Sequence, residues 1–234
     1  MNQIHPEAII GKNVSIAPYA IIGKATIGDN TVIHPYVYIG DNVTLGSHLE
    51  IYHGAVIGKT PNGAGATSRK VEAVNKPINV GDGTVISPHV IIYYGVTIGS
   101  GTLLGDGASI REGCEIGNKC IISRYVTINY NTIIGDHTKV MDNTHLTGNM
   151  SIGSNVFISA NVGSANDNVV TNTYDKHVVG AIIKDNVVIG LGANLLPNIV
   201  IGKEAFIGAG ALVTKDVPPN IHVRGLPACP VEKK

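Results

Sequence analysis

The chain has 234 residues, and its 17 Lys+Arg balance 17 Asp+Glu, so the net charge is zero. A neutral balance gives no long-range field for nucleic acid or an acidic membrane surface, and no apolar run approaches the length of a membrane span. Charged residues are 15% and aromatics 5%; the expectation is one large, soluble, cytoplasmic domain of short strands, with no signal peptide before its repeats.

Those repeats begin early. Ile10, Ile16 and Ile22 are six apart, a one-residue slip restarts the series at Ile27, and Ile33, Ile39, Leu45, Ile51 and Ile57 follow. From Val80 to Gly163 the period of six is unbroken: Ile86, Ile92, Ile98, Leu104, Ile110, Ile116, Ile122, Ile128, Ile134, Val140, Leu146, Ile152 and Ile158. After a gap, Ile183, Ile189, Leu195, Ile201, Ile207 and Val213 resume it. The residue four places on is small or aliphatic, as at Thr84, Val90, Thr102, Ala108, Cys114 and Cys120.

A fixed short period predicts a solenoid. Each hexapeptide makes one short strand and a corner, and three close a triangular coil of 18 residues whose strands stack in parallel. The periodic aliphatic fills the interior, and the small residue four places on turns inward near the corner. About nine coils are expected, roughly 43 Å long at ~4.8 Å per strand. Stepping by 18 puts Gly81, Gly99, Gly117, Gly135 and Gly153 in one column, expected to be a corner that uses glycine's positive φ. The two matching columns are mixed: Tyr93, Arg111, Asn129, Thr147, and Ser87, Gly105, Ser123, Met141, Ser159. One side of the prism is repetitive, and the other two are where a site belongs.

Three segments break the pattern. Loop 59–77 carries Arg69 and Lys70, loop 164–177 is rich in Asn and Asp, and the segment from 218 holds Pro218 and Pro219. Long excursions from a rigid scaffold commonly serve binding. The expected division is a β-helix over 1–217 and a capping tail over 218–234. Cys114 and Cys120 read as core fillers, Cys229 has no evident partner, and no disulfide framework is implied.

The unbroken period resembles the hexapeptide-repeat proteins, whose all-β fold is a left-handed parallel β-helix, an exception to right-handed crossovers. Ile189-Gly190-Leu191-Gly192-Ala193, Ile207 to Pro219 and Gly225-Leu226-Pro227-Ala228 resemble the acyl-CoA end of sugar acyltransferases, with Leu226 where that family usually has Asn. Glu50-Ile51-Tyr52, Ala55-Val56-Ile57-Gly58, the long loop and Ile78 to Asp82 resemble the UDP-N-acetylglucosamine O-acyltransferases. Ala108 to Gly113 and Asn166-Asp167-Asn168 look more like N-acyltransferases of nucleotide-linked amino sugars for surface polysaccharides.

The resemblance implies an acyl-CoA-dependent N-acyltransferase acting on a dTDP- or UDP-linked amino sugar. It also implies homotrimers with clefts between chains and no metal. Gly192, Ala193, Gly210 and Ala211 are expected to let the pantetheine lie along a coil edge, with Lys215 and Arg224 on the CoA phosphates. Tyr94, Glu112 and Tyr130 are 18 apart and should share a corner. Glu112 is the candidate to orient an amine and accept its proton, or else a structural ion-pair partner of Arg124 or another cation. Tyr94, Tyr130, Asn131, Asn143, Asn166 and Asp167 are candidates around the sugar, although asparagine ladders are also structural; Tyr93, Tyr94 and Tyr130 are candidates to flank a base or sugar, or else to pack at a trimer face. His145 is the candidate base should a histidine carry the proton; His137 and His177 are the other histidines of that region. The absence of the lipid A enzymes' histidine motif at Ile128 to Asn131 favours an amine over a hydroxyl acceptor.

Three alternatives use the same fold. An O-acetyltransferase of sugar or serine would need a base for a hydroxyl. A γ-class carbonic anhydrase would need three converging histidines, of which His53 and His89 supply two. An ice-binding prism would need a regular outward Thr array, which the mixed columns lack.

Overall fold

The computed structural model describes residues 1–64, 71, 76–167 and 178–230. It is a parallel β-helix with three flat sheets and no helix among the described residues. The first sheet runs from Gln3–Ile4 to Leu212–Val213 in eleven strands, the second from Ile9–Ile10 to Val200–Ile201 in ten, and the third from Ser15–Ile16 to Cys229–Pro230 in twelve. The register advances by 18 in the unbroken part, as in Ile92↔Ile110↔Ile128↔Leu146. About eleven coils stack, not nine. The periodic aliphatics already fill nearly ten coils, and three further strands, Gln3–Ile4, Gly163–Ser164 and His222–Arg224, add about one more; Pro6 and the Pro218-Pro219 pair interrupt the hexapeptide pattern at the two ends. The prism is therefore about 53 Å long, eleven coils at ~4.8 Å each. Cys229–Pro230 folds back antiparallel on His222–Arg224 and occupies the open edge of the third sheet.

Every periodic aliphatic from Ile22 to Val213 lies in the interior, most of them fully buried. The small polar residues beside them are buried too, and each meets a backbone carbonyl of the next coil. Thr102 Oγ1 donates to Gly117 O at 3.0 Å, Thr132 to Thr147 O at 3.0 Å and Thr138 to Gly153 O at 2.8 Å. Cys114 and Cys120 do the same through sulfur, to Asn129 O and Gly135 O. Burial pushes the Cys114 thiol up to about 12, so it is a packing group, not a nucleophile.

The corner between the second and third sheets, the glycine corner, carries the Gly81 to Gly153 column. Its glycines do not serve a positive φ. The left-handed residues there stand two places on, at Gly83, Gly101, Lys119, His137 and Asn155. The missing Cβ instead makes room for the next coil. At Gly135 a Cβ would come within 2.6 Å of Ser154 Oγ and 2.7 Å of Gly153 C. The side chains that fill this column cap the turn before them, as Asp136 Oδ1 accepts from Asn118 N at 2.6 Å and Asp185 Oδ1 from Ser154 N at 2.8 Å. This corner is a structural ladder, which leaves the first sheet and its two flanking corners for chemistry.

Candidate functional site

Both long excursions leave the same corner, that between the first and second sheets. One follows Val56–Lys59 and returns at Ile78–Val80; the other follows Gly163–Ser164 and returns at Ile182–Ile183. Four turns of this loop corner lie between them, beginning at Tyr93, Arg111, Asn129 and Thr147. Tyr94, Glu112 and Tyr130 do share it, one per coil, because each stands two residues past a paired interior Ile. All three are largely buried, at 9%, 7% and 8% exposure, and a carboxylate so enclosed on an outer corner demands compensation.

That compensation comes from the adjacent residue, not from Arg124. Arg111 Nε donates to Glu112 Oε2 at 2.8 Å and Nη2 to Oε1 at 3.0 Å. Arg124 is instead committed to Asp142, at 2.6 Å. Tyr94 reaches back over Gly40 and Gly58, where a Cβ at Gly58 would stand 3.1 Å from its hydroxyl. Burial raises the pKa of that phenol. Tyr130 leans the other way and lies over Gly148. Asn166 Nδ2 donates to Gly148 O at 3.2 Å and to the Tyr130 hydroxyl at 3.4 Å. The second loop is thus tied to the aromatic beside Glu112, and Asp167 follows half-buried.

Asn131 and Asn149 form part of the same corner and are structural partners. Asn131 Nδ2 donates to Asn149 Oδ1 at 3.2 Å, and Asn149 Nδ2 to Val178 O at 2.8 Å. Both hold positive φ, a conformation asparagine tolerates.

The remaining candidates belong elsewhere. Asn143 is exposed at the corner between the third and first sheets, a full sheet width from Asn131. There it stands in a left-handed column that continues through Asn161, Gly192 and Gly210, at φ 58, 57, 66 and 66. At Gly192 and Gly210 an added Cβ would meet nothing within 4 Å. These two glycines therefore border open space along one edge of the C-terminal coils. Ala193 and Ala211 do not: both are 0% exposed and point inward, the geometry of every fourth-place residue. Arg224 lies over Gly208 beside this column. Lys215 is exposed past Leu212–Val213, on the opposite side of the first sheet, so the two cations do not converge within one chain.

His145 stands on the outer face of the first sheet, two residues after Asn143. Its Nδ1 is 2.7 Å from Thr127 Oγ1, and partial burial lowers its pKa below the ordinary histidine value. Burial thus favours the neutral imidazole, with Nε2 outside that hydrogen bond. His145 pairs with Thr127 and Thr127 with Ser109, so Glu112 lies two coils back and three residues on. Those steps amount to roughly 10 Å along the prism and roughly 10 Å across it. Glu112 and His145 of one chain cannot share a proton. His53 and His89, nominally two coils apart, become neighbours because the first loop drops out of the stack; their rings meet edge to face at 5.5 Å. No group of three His, Cys, Asp or Glu side chains is gathered for a metal among the described residues.

Two residues of this corner went unsingled by sequence reasoning. Lys59 and Arg111 lie against Tyr93, with Lys59 Nζ 5.0 Å and Arg111 Cζ 5.1 Å from the ring centroid. The mixed column containing Tyr93 and Arg111 pointed there; Lys59 was hidden because a bulge between Ile57 and Lys59 shifts it into that column.

Comparison with known proteins agrees with this architecture. Residues 24–59, 95–130 and 180–215 match the family model described as bacterial transferase hexapeptide (six repeats). A putative acetyltransferase of Schizosaccharomyces pombe is 55% identical over 51 residues, 22% of this chain and 25% of that protein. The chain thus aligns with about a quarter of that relative's length. An Arabidopsis UDP-N-acetylglucosamine acyltransferase superposes with a TM-score of 0.59 at 24% identity, covering 98% of this chain and 72% of that one. The enzyme of that name from Bacteroides fragilis gives 0.53 at 26% identity, over 98% and 72%. The six-residue period and the three-sheeted stack agree with the matching blocks: over those blocks, somewhat less than half of the chain, it is similar to the bacterial transferase hexapeptide family, and it is built as a left-handed β-helix.

Proposed function

We propose that the protein is an acyl-CoA-dependent N-acyltransferase whose acceptor is the amino group of a dTDP- or UDP-linked amino sugar for surface polysaccharide. The observation that carries this is Glu112, a carboxylate 7% exposed on an outer corner between two loops and held by both arms of Arg111. A fixed anion there favours a substrate ammonium and orients the amine formed when it loses its proton. The likeness to UDP-N-acetylglucosamine acyltransferases supports a nucleotide-sugar acceptor.

The chemistry needs three things: an amine lone pair aimed at the thioester carbonyl, donors for the oxyanion, and a departing thiolate. Nitrogen attacks, the C–S bond breaks, and the amine proton passes to Glu112 or to the leaving sulfur. Glu112 lies on the loop corner, while the open glycine edge at Gly192 and Gly210 lies on the far side of the first sheet. In a homotrimer of side-by-side prisms the loop corner of one chain faces the glycine edge of the next, so acceptor and acyl-CoA meet between chains. No metal enters this scheme.

The test is thiol release from acetyl-CoA and longer acyl-CoAs with a panel of nucleotide amino sugars and their hydroxyl counterparts. Turnover confined to the amines is expected; turnover confined to hydroxyl acceptors would overturn the proposal. A second reading, O-acyl transfer, rests on His145: a neutral imidazole fixed by Thr127 is suited to take a hydroxyl proton.

A further inference from the structure

Tyr93, Lys59 and Arg111 make a group that the acyl-transfer scheme leaves unused. In the first sheet Lys59 pairs with Tyr93, and Arg111 follows one coil on. The ring therefore has one cation from the coil before it and one from the coil after it, at 5.0 and 5.1 Å. An aromatic flanked this way cannot stack a nucleobase on its faces. What it presents outward is its hydroxyl and edge, with a positive charge on either side.

The charge of Lys59 is not cancelled among the described residues, and Arg111, although paired with Glu112, keeps donors to spare. Arg111 gives two of its five N–H donors to Glu112 and keeps three. Lys59 is exposed and forms no ion pair among the described residues. Lys76, where the first loop rejoins the prism, brings a third cation near: its carbonyl accepts from Gly95 N at 3.1 Å. Two cations two coil steps apart, roughly 10 Å, on flexible stems can each take one phosphate of a diphosphate. The Tyr93 hydroxyl between them is a donor to an oxygen of the same group. A single carboxylate or sulfate would engage only one of the two cations.

The geometry points to Lys59, Tyr93 and Arg111 as the diphosphate clamp of the acceptor nucleotide. This deepens the proposed function and rests on it. The arrangement makes Arg111 the hinge of the site: one edge of its guanidinium fixes Glu112 for the amine, and the other faces the phosphate. It also sets the direction of the acceptor. With the diphosphate at Tyr93 the sugar extends past Glu112 toward Tyr130 and the second loop, and the nucleoside toward the first loop. Selection is then for a nucleoside diphosphate sugar over a free amino sugar or a simple glycoside.

The experiment is calorimetric titration of UDP, dTDP and GDP into the native protein held saturated with CoA, so that CoA's own diphosphate does not compete. Lys59→Ala, Tyr93→Leu and Arg111→Lys are measured alongside. Arg111→Lys keeps a charge beside the buried Glu112 while losing the planar fork, and CoA affinity serves as the control for folding. At least one nucleoside diphosphate is expected to bind, with affinity falling tenfold or more in Lys59→Ala and in Arg111→Lys at unchanged CoA affinity. Nucleotide binding that survives all three substitutions would overturn the clamp and leave the acyltransferase proposal standing. Absence of binding by all three nucleotides, with CoA still bound, would overturn both.

Discussion

Arg111 grips the carboxylate of its own chain neighbour Glu112 through two parallel hydrogen bonds of 2.8 and 3.0 Å. Adjacent residues on a strand point to opposite faces, so this pairing requires the chain to be turning. It is the corner after Ser109–Ile110 that brings the two side chains to one side. The pair fixes a charged group on the corner from which both loops depart.

Glu112→Gln keeps the shape and removes the charge. If Glu112 orients the amine and assists its proton transfer, kcat/KM falls by on the order of 10²–10⁴ while CoA affinity is unchanged. Steady-state kinetics with calorimetry for CoA checks this. Full activity in the variant would make Glu112 a structural partner of Arg111 and shift the proton to the sulfur or to His145.

The open edge at Gly192 and Gly210 predicts a site of steric control. Gly210→Asn suits the positive φ, which asparagine adopts readily, and adds a side chain into open space. CoA affinity should drop at least tenfold with the melting temperature unchanged. Ala211→Trp is not a clean test, because Ala211 is fully interior and overpacking there costs stability on its own, about 1–3 kcal/mol or more. Unchanged CoA binding in Gly210→Asn would move the pantetheine off this edge.

His145 makes stability depend on pH. Its folded pKa lies below the unfolded value of 6.5, so the unfolded chain binds more protons below that value. Stability is then complete above about pH 6.5 and declines as pH falls through the folded pKa. His145→Gln should flatten the low-pH limb of a melting-temperature profile. An identical limb in the variant would assign the acid sensitivity to carboxylates instead.

The interior and the three corners were legible from the period of six, since it dictates which residue faces inward. The φ of the glycine corner was not. Sequence marks Gly81 to Gly153 as special without saying whether the reason is conformation or crowding, and the answer depends on where Asp136 and Asp185 of the next coil place their oxygens. The grouping of Tyr94, Glu112 and Tyr130 followed from spacing alone. The separation of Asn143 from Asn131 also follows from spacing, because 12 residues is two sides of a triangle; both are asparagines of positive φ, and residue type alone groups them falsely. Lys59 was beyond reach, since its column is set by a bulge.

The crowding at the glycine corner has a measurable cost. Gly135→Ala would put a Cβ 2.7 Å from Gly153 C, a backbone atom of the next coil. The coil must shift, at about 1–3 kcal/mol. Gly83→Ala, where nothing lies within 4 Å but φ is +64, costs about 1–2 kcal/mol through backbone strain alone. Urea unfolding of both variants checks the pair, and a neutral Gly135→Ala would mean the corner is looser than the stacking implies.

The proposed homotrimer would bring the loop corner and the glycine edge together. Sedimentation equilibrium should give three chains per particle, and mixing Glu112→Gln with Gly210→Asn protein should restore activity in mixed trimers. A stable, fully active monomer would require both substrates to lie on one prism.

The atom acylated decides between amide and ester chemistry. Product formed from an acyl-CoA and a nucleotide-linked amino sugar should gain one acyl mass and keep it after mild alkaline hydroxylamine, because the new bond is an amide. Loss of that mass under the same treatment would mean an ester, transfer to oxygen, and an acceptor chemistry opposite to the one built around Glu112.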